Sequence, residues 1–168
     1  MDKTLARMAV LFAQEHPVSR TKLNKLLFFA DVAHYIAHGK QISRSDYVKL
    51  NFGPVPFEID EVRNWMVEKG FMRTSVGITG PYVQHSYEAL PLADDGLQKV
   101  RDSFGAAIKI IDLVGKAFSS ESASQLSELS HRYEPWKSAD WYSRLDFSRA
   151  TEDPSLRQML VDRGILPA

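Results

Sequence analysis

The chain has 168 residues, of which 44% are hydrophobic, 25% charged and 11% aromatic, values that exclude intrinsic disorder and fibrous low-complexity protein and fit one domain with a core of its own. Twenty-one basic residues balance twenty-one acidic ones, so the chain as a whole lacks the basic footprint of a protein that coats nucleic acid. Cysteine is absent, which removes disulfides, thiolate nucleophiles and cysteine-ligated metal. Met1-Asp2-Lys3 leads into an amphipathic stretch, not a basic stub with an apolar block, and no apolar run approaches the roughly 20 residues of a membrane span. The expectation is a soluble, cytoplasmic protein with no membrane partner.

Leu5, Met8, Ala9 and Phe12 fall at helical spacing, which predicts a helix over 3–15 that Pro17 ends. Ser19 or Thr21 can cap the next helix. Its apolar face runs through Leu23, Leu26, Leu27, Ala30, Ala33 and Ala37, widened by Phe28 and Phe29, and Gly39 suits a left-handed stop. This helix should be largely buried, with Lys22 and Lys25 on the solvated face opposite the leucines. Tyr47 to Phe52 alternates as a strand does. Gly53-Pro54-Val55-Pro56 reads as a turn, and Pro56 can open the helix predicted over 57–69. Phe71 to Ser75 and Tyr82 to Leu90 read as strands around a turn over Val76 to Pro81. From Leu97 to Phe118 apolar residues recur at threes and fours, as one long helix or two joined near Gly105. Leu126 and Leu129 mark a short helix ending near His131, and Pro135-Trp136 starts another short element. Residues 140–153 read as irregular, anchored by Trp141, Tyr142 and Phe147. Asp153-Pro154 suits an N-cap followed by proline at the first helical position.

The neutral total conceals an uneven distribution. Residues 1–50 carry +4, residues 51–100 carry −3, and the rest −1. The order helix, strand, loop, strand over 57–96 is the wiring of a winged-helix unit, whose helix before the wing can enter the DNA major groove. That helix carries Glu58, Asp60, Glu61 and Glu68 against Arg63 and Lys69, and carboxylates are repelled by phosphates. Nucleic acid is therefore not the expected partner, and a winged-helix-like DNA-binding regulator stands as the alternative function.

Enzyme signatures are missing: the sequence has no Gly-x-Ser-x-Gly elbow and no phosphate loop. Asp31, His34 and His38 share a helix face at metal-ligand spacing, but Tyr35 stands where a zinc protease needs glutamate. The expectation is histidines that bond to their neighbours, with no metal, no cofactor and no catalytic residue. Trp65, Tyr133, Trp136, Trp141, Tyr142 and Phe147 divide between core and interaction surface in a way that spacing alone leaves open.

Three motifs carry a family resemblance. Thr21-Lys22-Leu23-Asn24-Lys25-Leu26-Leu27-Phe28-Phe29-Ala30-Asp31, with Tyr35 and Gly39-Lys40, is the first. The strand and Gly53-Pro54-Val55-Pro56 form the second. Leu126-Ser127-Glu128-Leu129-Ser130-His131 with Pro135-Trp136 is the third. In this order they resemble the signatures of the Panacea domain, the SocA-like and phage-associated GepA-like family, with the SocA branch nearest. The resemblance implies an antitoxin of a toxin–antitoxin system, bacterial or phage-associated, that binds a protein toxin (SocB-like in that branch) and can deliver it to the AAA+ protease ClpXP, with no enzymatic activity. The expected fold is α+β and mostly helical, six to eight helices with a small winged-helix-like β-hairpin. It forms a single domain over 1–168, in which the motifs span 19–138 and 139–168 pack onto them. Candidate partner contacts are Lys22, Lys25, Phe29, Tyr35, Phe52, Gly53, Pro54, Val55 and Trp65. Leu23, Leu26, Leu27, Leu126, Leu129, His131 and Trp136 are read as structural.

Overall fold

A helix with a wide apolar face must be enclosed, and α2 (Arg20–His38) is the axis on which the other elements pack. Every residue from Leu23 to His34 is buried. Ser19 caps its start by accepting from the Lys22 N–H, and Gly39 at φ 71° stops it. The computed structural model describes the backbone of residues 1–168 and every side chain but that of Thr79. Before α2 come α1 (Lys3–Phe12) and the two-residue strand β1 (Val18–Ser19). After it come β2 (Tyr47–Leu50), β3 (Gly53–Pro56), α3 (Ile59–Glu68), β4 (Met72–Thr79) and β5 (Tyr82–Ala89). The remainder is helical: α4 (Gly96–Asp102), a 3₁₀ turn at Gly105–Ala107, α5 (Ile108–Ala117), α6 (Ala123–Ser130), α7 (Glu134–Lys137), α8 (Ser148–Thr151) and α9 (Pro154–Asp162).

The fold is thus α+β and mostly helical, as expected. Helices exceed the expected number among the described residues because α7 and α8 are single turns of four residues. Antiparallel pairing in the order β1–β5–β4 builds the main sheet. Helix α1, strand β1, helices α2 and α3, then the β4–β5 hairpin give the winged-helix wiring, with β2–β3 inserted between α2 and α3. Aromatic contacts tie α2 to its surroundings: Phe28 meets Tyr47 and Phe147 edge-on, and Phe29 lies on Phe118 at 4.8 Å. Each such fully buried ring contributes about 1.5–3 kcal/mol by leaving water.

Several local expectations need correction. Gly53-Pro54-Val55-Pro56 is not a turn but strand β3, in register with β2 through Tyr47↔Pro56, Val48↔Val55, Lys49↔Pro54 and Leu50↔Gly53. The turn is Asn51-Phe52, and α3 begins only at Ile59, beyond Pro56. The prolines are tolerated because of how β2 spends its backbone. Tyr47 and Lys49 turn their groups to the other side, where Lys49 N–H donates to Ser143, and Leu145 and Tyr142 N–H donate to Tyr47 and Lys49. Pro54 and Pro56 face those two residues, so their missing N–H groups point away from β2. Likewise Val76 to Thr79 continue β4, leaving Gly80-Pro81 as a two-residue turn. Gly80, at φ 59°, takes the position where II′ turns place glycine.

Between Leu97 and Phe118 there are two helices, broken at Gly105 (φ 53°). In the 140–153 stretch the anchors are Leu145 and Phe147, both buried; Trp141 and Tyr142 are exposed. Asp153 caps α9 as expected, accepting from Ser155 and Leu156 N–H, and also accepts from Glu134 N–H at the start of α7. No helix among the described residues is long and apolar enough to cross a membrane.

Candidate functional site

The three sequence motifs, far apart along the chain, meet at one place. Its floor is Lys25 of α2, fully buried rather than on a solvated face. Its Nζ donates to the Pro54 carbonyl at 2.7 Å, an oxygen that faces away from β2 along with the proline nitrogen. Gly53 makes this approach possible. Its φ is 99°, and a Cβ there would stand 2.4 Å from Ser130 Oγ and 2.7 Å from Lys25 Cε. From the third motif, Ser127 Oγ donates to the Phe52 carbonyl at 2.8 Å, and Ser130 Oγ donates to the Ser127 carbonyl. Helix α6 is thereby fastened to the turn of the β2–β3 hairpin.

Above this floor lies an aromatic tier. His131 stacks on Trp136 with centroids 4.0 Å apart, and Trp141 meets Trp136 edge-on. Lys49 Nζ sits 4.2 Å above Trp136 and 4.9 Å from Trp141, and it donates to the Ala139 carbonyl. Such cation–π contacts gain strength when desolvated, and Lys49 is buried. Trp136 Nε1 donates to the Leu50 carbonyl. His131 therefore packs on Trp136, and Trp136 roofs Lys49.

Burial governs the charges here. Loss of water lowers the Lys25 ammonium to about 7. Burial, then the positive charges of Lys25 and Lys49, pushes the His131 imidazolium down. His131 Nε2 is buried without a hydrogen-bond partner. The outer rim is apolar and open: Phe52 is 68% and Tyr142 75% exposed, and Trp141, next to Tyr142 in sequence, is also exposed. Tyr142 adopts φ 63°, a left-handed backbone rare for a non-glycine residue. Its N–H donates to the Lys49 carbonyl.

The other candidate residues are dispersed. Lys22 Nζ binds the Ser119 and Glu121 carbonyls beyond α5. Phe29 is buried in the core, so in this fold it presents nothing to a partner. Tyr35 is half-buried against Phe147, and Trp65 is half-buried against Phe71. Gly53 and Pro54 are buried, Val55 partly so, and Phe52 alone of that group is freely exposed. Leu23, Leu26, Leu27, Leu126 and Leu129 are core residues, as expected.

Asp31 is not aimed at a shared metal position. Its carboxylate accepts from Ile42 and Ser43 N–H, from Ser43 Oγ at 2.5 Å and from the Tyr47 hydroxyl at 2.8 Å. It clamps the loop between α2 and β2, and burial raises its carboxyl to about 6 against the pull of these donors. His34 Nδ1 lies 2.7 Å from the Lys40 carbonyl. On α3, Arg63 turns inward, bonding Asn24 and Asp60 and lying over Tyr87. Of that helix and its C-cap, this leaves Lys69 as the exposed cation beside Asp60, Glu61 and Glu68.

Sequence reasoning missed Ser127, Ser130 and Lys49 as members of the site. Ser127 and Ser130 are buried polar residues inside an otherwise leucine-marked helix, which is the signal that could have found them. The spacing of Asp31 from Ser43 and Tyr47 carries no comparable signal.

The family model described as antitoxin SocA-like, Panacea domain, matches residues 23–137, which include every motif residue of the site. The chain belongs to the SocA-like antitoxins of the Panacea domain family. Comparison with curated proteins and with solved structures gives no match.

Proposed function

We propose that the chain neutralises a protein toxin by binding it directly and performs no chemistry of its own. The single observation that carries this is the rim of the motif site. Phe52, Trp141 and Tyr142 stand exposed on a floor whose polar groups are turned inward to other parts of the fold. Rigid exposed aromatics are the residues from which binding hot spots are made. The left-handed backbone of Tyr142 costs about 1–2 kcal/mol and sits on this rim, which suits a surface held in shape for a partner. A second step, delivery of the bound toxin to ClpXP, is part of the same proposal.

The test is co-expression with the product of the adjacent reading frame. Growth rescue and a co-purifying complex are expected for the wild type, and both should fail for Phe52→Ala/Trp141→Ala. A toxin that disappears faster when ClpXP and the antitoxin are both present supports delivery; an unchanged half-life limits the protein to blocking.

The winged-helix wiring favours a second reading, binding of DNA. The inward turn of Arg63 opposes it, because the helix that should read bases presents mainly carboxylates. A gel shift on the upstream sequence, repeated across salt, separates the readings, since DNA binding weakens steeply as salt rises.

A further inference from the structure

The β4–β5 hairpin carries an apolar surface that the motif site does not explain. Ile78 is 83% exposed, and Val76 and Val83 are exposed with it. All three lie on one face, because Ile78 pairs with Val83 and residues two apart share a side. Strand β4 is also the free edge of the sheet. From Thr74 to Thr79 it has neither charge nor proline, the usual protections of an open edge.

The edge has a definite register. The two-residue turn makes Thr79 and Tyr82 a hydrogen-bonded pair. Pairs then alternate along the ladder. Arg73, Ser75 and Gly77 therefore bond toward β5, while Thr74, Val76 and Ile78 turn their N–H and C=O groups to the open edge. A second copy related by a two-fold axis through Val76 would meet all of these groups. Val76 would face Val76 of the other copy, and Thr74 would face Ile78 in both directions. Arg73 would lie across from residue 79, so like charges do not meet.

The same register brings the wing tip to a groove. Between α3 and the sheet runs a groove of about 600 Å³, whose lining joins Val67, Thr74 and Tyr87 to the polar Asp60, Glu68 and His85. With Ile78 placed beside Thr74 of the other copy, the wing tip of each chain reaches the groove of its neighbour. We infer that the chain self-associates through β4, edge to edge and antiparallel, joining two three-stranded sheets into one of six strands. The contact is isologous, as closed dimers require.

The chain's lack of cysteine supplies the test. Val76→Cys would place a thiol on the two-fold axis, where hydrogen-bonded antiparallel residues are about 5.5 Å apart between Cα atoms, within disulfide reach. Under mild oxidation Val76→Cys should form a covalent dimer, and Phe52→Cys should remain a single chain. Sedimentation of the wild type should show a mass rising with concentration toward that of two chains. Val76→Pro removes only an edge donor and should stay monomeric. Ile78→Lys, an exposed change that leaves the ladder intact, should do the same. A wild type that sediments as one chain at every soluble concentration overturns the inference. So does cross-linking of Val76→Cys no faster than that of Phe52→Cys.

Discussion

The motif site and the wing handle polarity in opposite ways. At the motif site, Lys25, Lys49, Ser127 and Ser130 are buried, and their hydrogen bonds are spent on carbonyls of the protein itself. On the wing, large apolar side chains stand in water while the backbone edge is open. The residues that define the family thus mostly build a scaffold. The exposed apolar surface lies in side chains that no motif specifies, such as Trp141, Tyr142, Val76 and Ile78. The exception is Phe52, which joins both groups: its carbonyl is held by Ser127 and its ring is exposed.

The contrast can be broken by substitution, and the largest effects belong to the buried polar groups. Asp31→Ala would leave two backbone N–H groups and two hydroxyls without their acceptor, at a cost of about 3–5 kcal/mol in urea unfolding. Gly53→Ala meets Ser130 and the enclosed Lys25 and must hold φ 99°. About 3 kcal/mol is expected there, read as a lower urea midpoint at unchanged slope.

Lys25→Met is expected to act through pH. In the folded protein the ammonium titrates near 7, and unfolded it titrates near its ordinary value of 10.5. Between those values the unfolded state binds more protons, so the group makes stability rise with pH. The cost of its burial is fully present below about 7 and is relieved as pH climbs toward 10.5. Unfolding free energy of the wild type should gain up to about 1.4 kcal/mol per pH unit over that window relative to Lys25→Met. Parallel curves for the two proteins would show that Lys25 keeps its proton in the fold over that window, because water reaches it. Asp31 has the reverse sign at lower pH: with its carboxyl raised to about 6 from 3.8, its contribution falls as pH rises through that range.

The smallest effect belongs to the wing. Ile78→Ser should change the stability of a single chain by no more than about 0.5 kcal/mol, as expected of a surface position, in thermal unfolding at low concentration. A large loss would mean that the hairpin is needed for the fold.

Much of this architecture was legible in periodicity and capping. The apolar face from Leu23 to Ala33, widened by Phe28 and Phe29, announced a central helix, and Ser19, Gly39 and Asp153 marked helix ends by their own chemistry. What misled was local punctuation. Two prolines argue for a turn, yet Pro54 and Pro56 sit in a strand because β2 turns the facing residues toward the 142–145 segment. A glycine at 77 argues for a loop, yet eight cross-strand pairs carry β4 through it. Lys25 sits off the leucine stripe, and only the β3 carbonyl that receives it makes its burial tolerable. Such outcomes depend on partners distant in sequence, and no window of neighbouring residues contains them. The motif site was legible as three segments in the right order, while their meeting point required the fold.

The most direct measurement is calorimetric titration of the purified product of the adjacent reading frame into this protein and into its Phe52→Ala/Trp141→Ala variant. A saturable complex with the wild type, weakened at least about tenfold in a variant of unchanged thermal stability, is the expected result. Equal binding by both proteins would contradict the assignment of the rim, and the absence of any binding by the wild type would contradict direct neutralisation itself.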